Sequence, residues 1–250
     1  MNSSLKRIST LTKRNIKEIV RDPLSLIFTI LMPLAMELVF YFLFHEATAQ
    51  FEMKYLAPGI VVFSQAFLTL FTGILIATDR SSAFLTRLYV SKAKSHEFIF
   101  SYALAVIPIA LFQSILFFLV GSIFDPSLFS VEMIFAIFLS LFTSLFFIAI
   151  GILFGSICNE KSIGGIASIV IAGQSVLSGM WFPLEGISSG MIAVMKVLPF
   201  KNATMLIQNT TNGIGNTFND FTLPLLIVIG YIIMAFVGAI LVYREKMKSK

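Results

Sequence analysis

Few residues of this 250-residue chain are equipped for bond-making chemistry. The only two histidines, His45 and His96, stand far apart and form no H-E-x-x-H pair, which excludes a His-pair metalloprotease site. A single cysteine, Cys158, rules out both an intramolecular disulfide framework and a cysteine-based metal cluster. Serines are plentiful, yet no G-x-S-x-G elbow presents one as a nucleophile. No G-x-x-x-x-G-K-S/T cradle is present, so the chain lacks a P-loop through which to hold ATP. No catalytic residue, bound cofactor or metal is expected here. What stands out instead is polarity in apolar surroundings, at Glu37, Gln65, Gln113 and Gln174. Such groups in hydrocarbon are costly and usually face a bundle interior or water. Glu37, Gln65 and Gln174 are therefore candidates for a substrate path or gate. The plainer alternatives are amides that link helices, and a Glu37 carboxylate that reaches the interface from about two turns inside its span.

These residues sit in a chain that is 57% hydrophobic and 12% charged, with a mean hydropathy of +0.92. A soluble domain averages roughly 45–50% apolar. Crossing a membrane takes ~20 mostly apolar residues, and apolar runs predict six spans at 24–44, 56–78, 98–121, 130–157, 162–182 and 221–243. The first run is too long for a leader's apolar core and contains Glu37. A retained span is expected there, despite the Ala47-Thr48-Ala49 that resembles a cleavage site. Of the 18 Lys and Arg residues, all but Lys54, Lys196 and Lys201 fall on the side of the termini. The positive-inside bias then places both termini in the cytoplasm, and the net charge of +5 reflects this sidedness rather than a nucleic-acid surface.

Ahead of the first span, within residues 1–23, Leu5, Ile8, Leu11, Ile16, Ile19 and Val20 share one half of a helical wheel. Lys6, Lys13, Arg14, Lys17 and Arg21 share the other. This pattern predicts an amphipathic interfacial helix with its cations toward anionic headgroups, and it reads equally as a simple anchor or as a helix that also touches a cytoplasmic partner. The longest cytoplasmic connection, 79–97, carries a stripe of Phe84, Leu85 and Leu88 beside Arg80 and Arg87. It reads equally as an interfacial helix or as a docking element for a soluble subunit. On the other side, 181–220 contains two short helical stripes broken at Pro199, which suggests an extracellular hairpin before the last span. Asn202-Ala-Thr and Asn209-Thr-Thr within it match glycosylation sequons. The fifth span carries Gly164, Gly165, Ala167, Ser168, Ala172 and Gly173, from which a packed interior helix is expected. No internal repeat is evident, and residues 1–250 read as one all-α membrane domain.

Three stretches in this order carry a resemblance: Arg21-Asp22-Pro23 after the basic helix; Asp79-Arg80-Ser81-Ser82-Ala83-Phe84-Leu85-Thr86-Arg87-Leu88; and Leu177-Ser178-Gly179-Met180-Trp181-Phe182-Pro183-Leu184-Glu185, followed by Leu198-Pro199-Phe200. On six spans they resemble the ABC type-2 permease family of drug and polysaccharide exporters. The resemblance implies a permease without its own ATPase site, working as a homo- or heterodimer in the cell membrane. ATP and Mg would be held by a separate ATP-binding subunit contacted by Arg80, Phe84, Leu85, Arg87 and Leu88. A hydrophobic or amphipathic compound, such as a drug, antibiotic or antimicrobial peptide, would be moved outward. Val90-Ser91-Lys92-Ala93-Lys94 lacks the proline that often follows the family's coupling segment. The rival reading is a self-contained secondary transporter or channel, which would more often show repeats and paired intramembrane charges.

Overall fold

The computed structural model describes residues 3–81, 94–182, 186–213 and 217–248, and among them it contains helices and no strands. In chain order the helices are α1 (Ser3–Val20), α2 (Pro23–Phe44), α3 (Met53–Ser81), α4 (Ser95–Phe124), α5 (Val131–Ile157), α6 (Glu160–Leu177), α7 (Ser189–Val197), α8 (Pro199–Thr211) and α9 (Leu223–Lys248). This is an all-α membrane protein. Five stretches are long and apolar enough to cross a bilayer: α2, α3, α4, α5 and Phe218–Glu245, which takes in most of α9. At 30 residues, α4 extends roughly 45 Å, so its ends run past the hydrocarbon.

The expected span at 162–182 is the exception. Its helix, α6, covers 18 residues and begins on Glu160 and Lys161, which leaves too little apolar length to meet the same criterion. Together α7 and α8 are as apolar as a span, but they meet at 78°, the geometry of a broken span or of a re-entrant loop. Pro199 explains the bend: it lacks the N–H that would continue α7, and its fixed φ suits the first turn of α8.

α3 is the hub. In it 83% of the span window is buried, against 17% for α2 and 22% for the last span. Its closest neighbour is α5, through Gly151 and Gly155. A Cβ on Gly151 would fall 2.7 Å from the Thr69 carbonyl oxygen, and one on Gly155 would fall 2.7 Å from that of Gly73. This is the close backbone approach that a G-x-x-x-G spacing permits. Hydrogen bonds cross the same seam. Gln65 donates to the Ser140 carbonyl (2.8 Å) and accepts from Thr143 (2.8 Å), while Thr69 donates to the Phe147 carbonyl (3.0 Å).

Prolines inside spans leave carbonyls without their helical donors, and for two of them, Pro33 and Pro58, amides from neighbouring helices supply replacements. Pro33 frees the Thr29 carbonyl, which accepts from Gln113 of α4 at 2.9 Å. Pro58 frees the Lys54 carbonyl, which accepts from Asn212 at the end of α8 at 3.0 Å.

The small residues of α6 correct a second expectation. Only Ile163, Ala167 and Gln174 of this helix are buried, and a Cβ on Gly164 or Gly165 would meet nothing within 4 Å. Within one chain, the side of α6 carrying Gly165, Ser168 and Ala172 is exposed, whereas Ala167 is buried and Gly173 packs against Phe200 of α8. Beyond its end, Gly179 takes a φ of 76°, the left-handed turn that terminates a helix. Trp181 then stacks against Phe40 at 4.3 Å between ring centroids. Gln50 fixes this turn by donating to the carbonyls of Gly179 (2.6 Å) and Phe182 (3.0 Å).

Candidate functional site

The polar side chains converge at the end of the bundle that carries both termini. There α1 lies against α4, with Asn15 and Ile19 turned inward while Leu5, Ile16 and Val20 stay exposed. Arg7 and Arg14 are seven residues apart, two helical turns, and so point the same way. Arg14 makes a two-armed pair with Asp79 in the last turns of α3, and Asp79 also accepts from the Tyr102 hydroxyl of α4. Arg7 makes a second two-armed pair with Glu97 in the first turn of α4, at 2.7 and 2.8 Å. Ser4 donates to Glu97 (2.5 Å), and Glu97 also accepts from the Lys94 backbone N–H (3.0 Å), capping the start of α4.

The guanidinium pKa values follow this geometry. The hydrogen bonds to Glu97 hold that of Arg7 above its ordinary value. Burial opposes the charge on Arg14, but its bonds to Asp79 outweigh the burial and its pKa is raised as well. Both arginines are thus held as cations against the two acids.

The consequence lies in where the two acids sit. Asp79 and Glu97 flank residues 82–93, so α1 holds both stems of that connection. Arg80, expected beside the docking stripe, donates to the carbonyls of Gly155 and Cys158 (2.9 Å each) and so caps the end of α5. Ser81 adds a bond to Glu160 at the start of α6 (2.8 Å). The remaining expected coupling residues, Phe84, Leu85, Arg87 and Leu88, lie outside the described residues. The sequence reading turned the cations of α1 toward lipid headgroups and overlooked these pairs. The available signal was the seven-residue spacing of two arginines together with two acids bracketing one connection.

Above this cluster a cavity of about 600 Å³ opens between α1, α2, α3 and α6. Arg21, Asp22 and Asp79 form its polar end, while Phe28, Met32, Phe67 and Phe71 form apolar walls. The three residues expected on a path or gate lie outside its lining. Gln65 bonds within the α3–α5 seam, and Gln174 donates to Thr204 of α8 at 2.9 Å. Glu37 is enclosed by protein. It is 0% exposed, lies close to Gly121 of α4, and neither carboxylate oxygen has a hydrogen-bond partner among the described residues.

The chain is thus a helical membrane bundle whose N-terminal helix is clamped to both ends of the 82–93 connection, with an amphipathic cavity beside it. The chain belongs to the ABC-2 type transporter family, whose model matches residues 6–212, from the first turns of α1 to the end of α8. No curated protein matches it significantly. Members of this family are membrane-spanning permeases that work with ATPase activity on another subunit.

Proposed function

We propose that this chain is the permease of an exporter in the cell membrane, with both termini cytoplasmic, driven by a separate ATP-binding subunit that docks on residues 82–93. The observation that carries this reading is the double grip of α1 on the stems of that segment, through Arg14–Asp79 and Arg7–Glu97. A rigid helix paired to both stems moves with them, so a displacement at 82–93 is delivered to α3 and α4 together. Phe84, Leu85 and Leu88 would fill a groove on the ATPase, with Arg87 at the rim. ATP and Mg belong to that partner.

The transported compound is hydrophobic or amphipathic, in keeping with a cavity that pairs an ionic end with aromatic walls. A drug, antibiotic or antimicrobial peptide has this chemistry. The second permease of a dimer would cover α2 and the small-residue face of α6, beside the cavity. The test is Phe84→Ala combined with Leu88→Ala. ATP-driven efflux of a hydrophobic fluorescent dye should fall at least tenfold at equal expression, since anchor truncations commonly cost ~2 kcal/mol or more of association. Efflux at the wild-type rate would refute this docking segment.

Glu37 favours a second reading, a secondary transporter, because a buried carboxyl without a partner is suited to carry a proton. In that case dye efflux would survive ATP depletion, stop when the proton gradient is collapsed, and be lost in Glu37→Gln. The exporter reading expects the reverse dependence on energy source.

A further inference from the structure

At the end of the bundle opposite the termini, two cavities meet at one side chain. The first is polar, about 300 Å³, and lined by Lys54 of α3, Ser127, Ser130, Glu132 of α5, Thr211 and Asn212. The second is about 650 Å³ and almost wholly apolar, running between α5 and α9 past Phe135, Phe138, Phe142, Leu225 and Ile229. Glu132 lines both, and the adjacent Thr210 and Thr211 line one each. We infer that this pair of cavities binds a membrane phospholipid with a primary-amine headgroup, phosphoethanolamine in the polar cavity and an acyl chain in the groove.

The dimensions fit a lipid of that leaflet. From Glu132 to Phe142 the groove follows α5 for roughly 15 Å at about 1.5 Å per residue. That is half of a hydrocarbon core of about 30 Å. The polar cavity is fixed rather than incidental. Asn212 ties the end of α8 to the Lys54 carbonyl (3.0 Å), and Gly213, at a φ of 64°, turns the chain away behind it.

The charges choose the headgroup. Lys54 bonds Glu52 at 2.8 Å through one of its three N–H groups, leaving donors to meet a phosphate together with the nearby hydroxyls. Glu132 at the junction supplies an acceptor for an ammonium. With Glu52 and Glu132 set against Lys54, the local charge already leans acidic. An anionic headgroup without an amine, or a fatty acid, is disfavoured. A choline headgroup neutralises the charge but has no N–H to give Glu132, so ethanolamine is preferred over it.

The test uses Leu139→Trp in a Trp181→Phe background, which leaves one indole, on the groove-lining Leu139. The full chain is reconstituted in vesicles of phosphatidylcholine doped with brominated-chain phosphatidylethanolamine, phosphatidylcholine or phosphatidylglycerol. Brominated phosphatidylethanolamine should quench at a mole fraction on the order of fivefold lower than the other two, the size expected of one partly screened ion pair. Glu132→Gln should erase its advantage over phosphatidylcholine, and Lys54→Gln should weaken both. Equal quenching by all three lipids, or preference for phosphatidylglycerol, would overturn the inference. An independent check needs no substitution: native mass spectrometry of the wild-type chain during delipidation should show one phosphatidylethanolamine retained after other lipids are stripped. Its loss in step with the rest would equally refute the site.

Discussion

Asp79 is held by Arg14 and Tyr102, and Glu97 by Arg7, Ser4 and the backbone N–H that begins its own helix, so each acid is paired with an arginine from α1. Removing one member of such a buried pair strands the other charge at a cost of ~3–5 kcal/mol, whereas removing both costs far less. Arg14→Met is accordingly expected to lower the thermal stability of the purified chain sharply, and Arg14→Met with Asp79→Asn to recover most of it. Equal losses in the single and double variants would mean that the two side chains do not depend on each other. The glutamines follow the same logic on a smaller scale, with Gln113 replacing the donor that Pro33 withholds from Thr29. The sequence displays Pro33 and Gln113 openly, and also the spacing of Arg7 and Arg14. It does not display which residue meets which, because every partner is on another helix far along the chain. Glu37 shows the same limit: its type flagged it, but its depth was set by the contact of α2 with Gly121 of α4.

Long apolar runs declare their own length and type, which is why α2, α3, α4, α5 and α9 fall where hydropathy places them. The short α6 and the bent α7–α8 pair were harder to assign, since their apolar residues are interrupted by glycines, serines and a proline. The small residues of α6 drew attention, yet the helix contact that depends on glycine is elsewhere, between α3 and α5. There Gly151 and Gly155 are embedded in a long, mostly apolar run. At both positions an added Cβ would meet backbone, which cannot rotate away. Gly155→Leu should therefore separate α3 from α5 and lower the melting temperature by several degrees or prevent stable expression. Gly165→Leu, on an uncovered face, should leave the stability of the isolated chain nearly unchanged. Similar losses at both positions would contradict this packing of α3 on α5. The sequons are a smaller case. Asn202 spends its amide on the Lys196 (2.9 Å) and Leu198 (2.6 Å) carbonyls, and Asn209 spends its own on that of Asp220 (2.9 Å), so both are structural in this fold.

For the molecule as a whole, the family match and the bundle agree on a polytopic permease, while the direction in which it sits rests on charge. Among the described residues most cations gather at the end with α1 and the tail of α9, where Phe98 of α4 stacks on Tyr243 at 5.1 Å. In a Cys158→Ser background, a cysteine at Ser188, at the start of α7, should react with an impermeant maleimide in intact cells. A cysteine at Ser249 should react only after lysis, and the opposite pattern would invert the topology. The same end carries the central claim, that a separate ATPase grips residues 82–93 and moves α3 and α4 through the arginine clamps of α1. The most direct measurement places a photo-crosslinking amino acid at Phe84 in intact cells and identifies the adduct by mass spectrometry. The account predicts a covalent adduct with a second chain that contains a P-loop, diminished by Leu88→Ala. Adducts formed with lipid alone would make this segment an interfacial anchor and contradict the account.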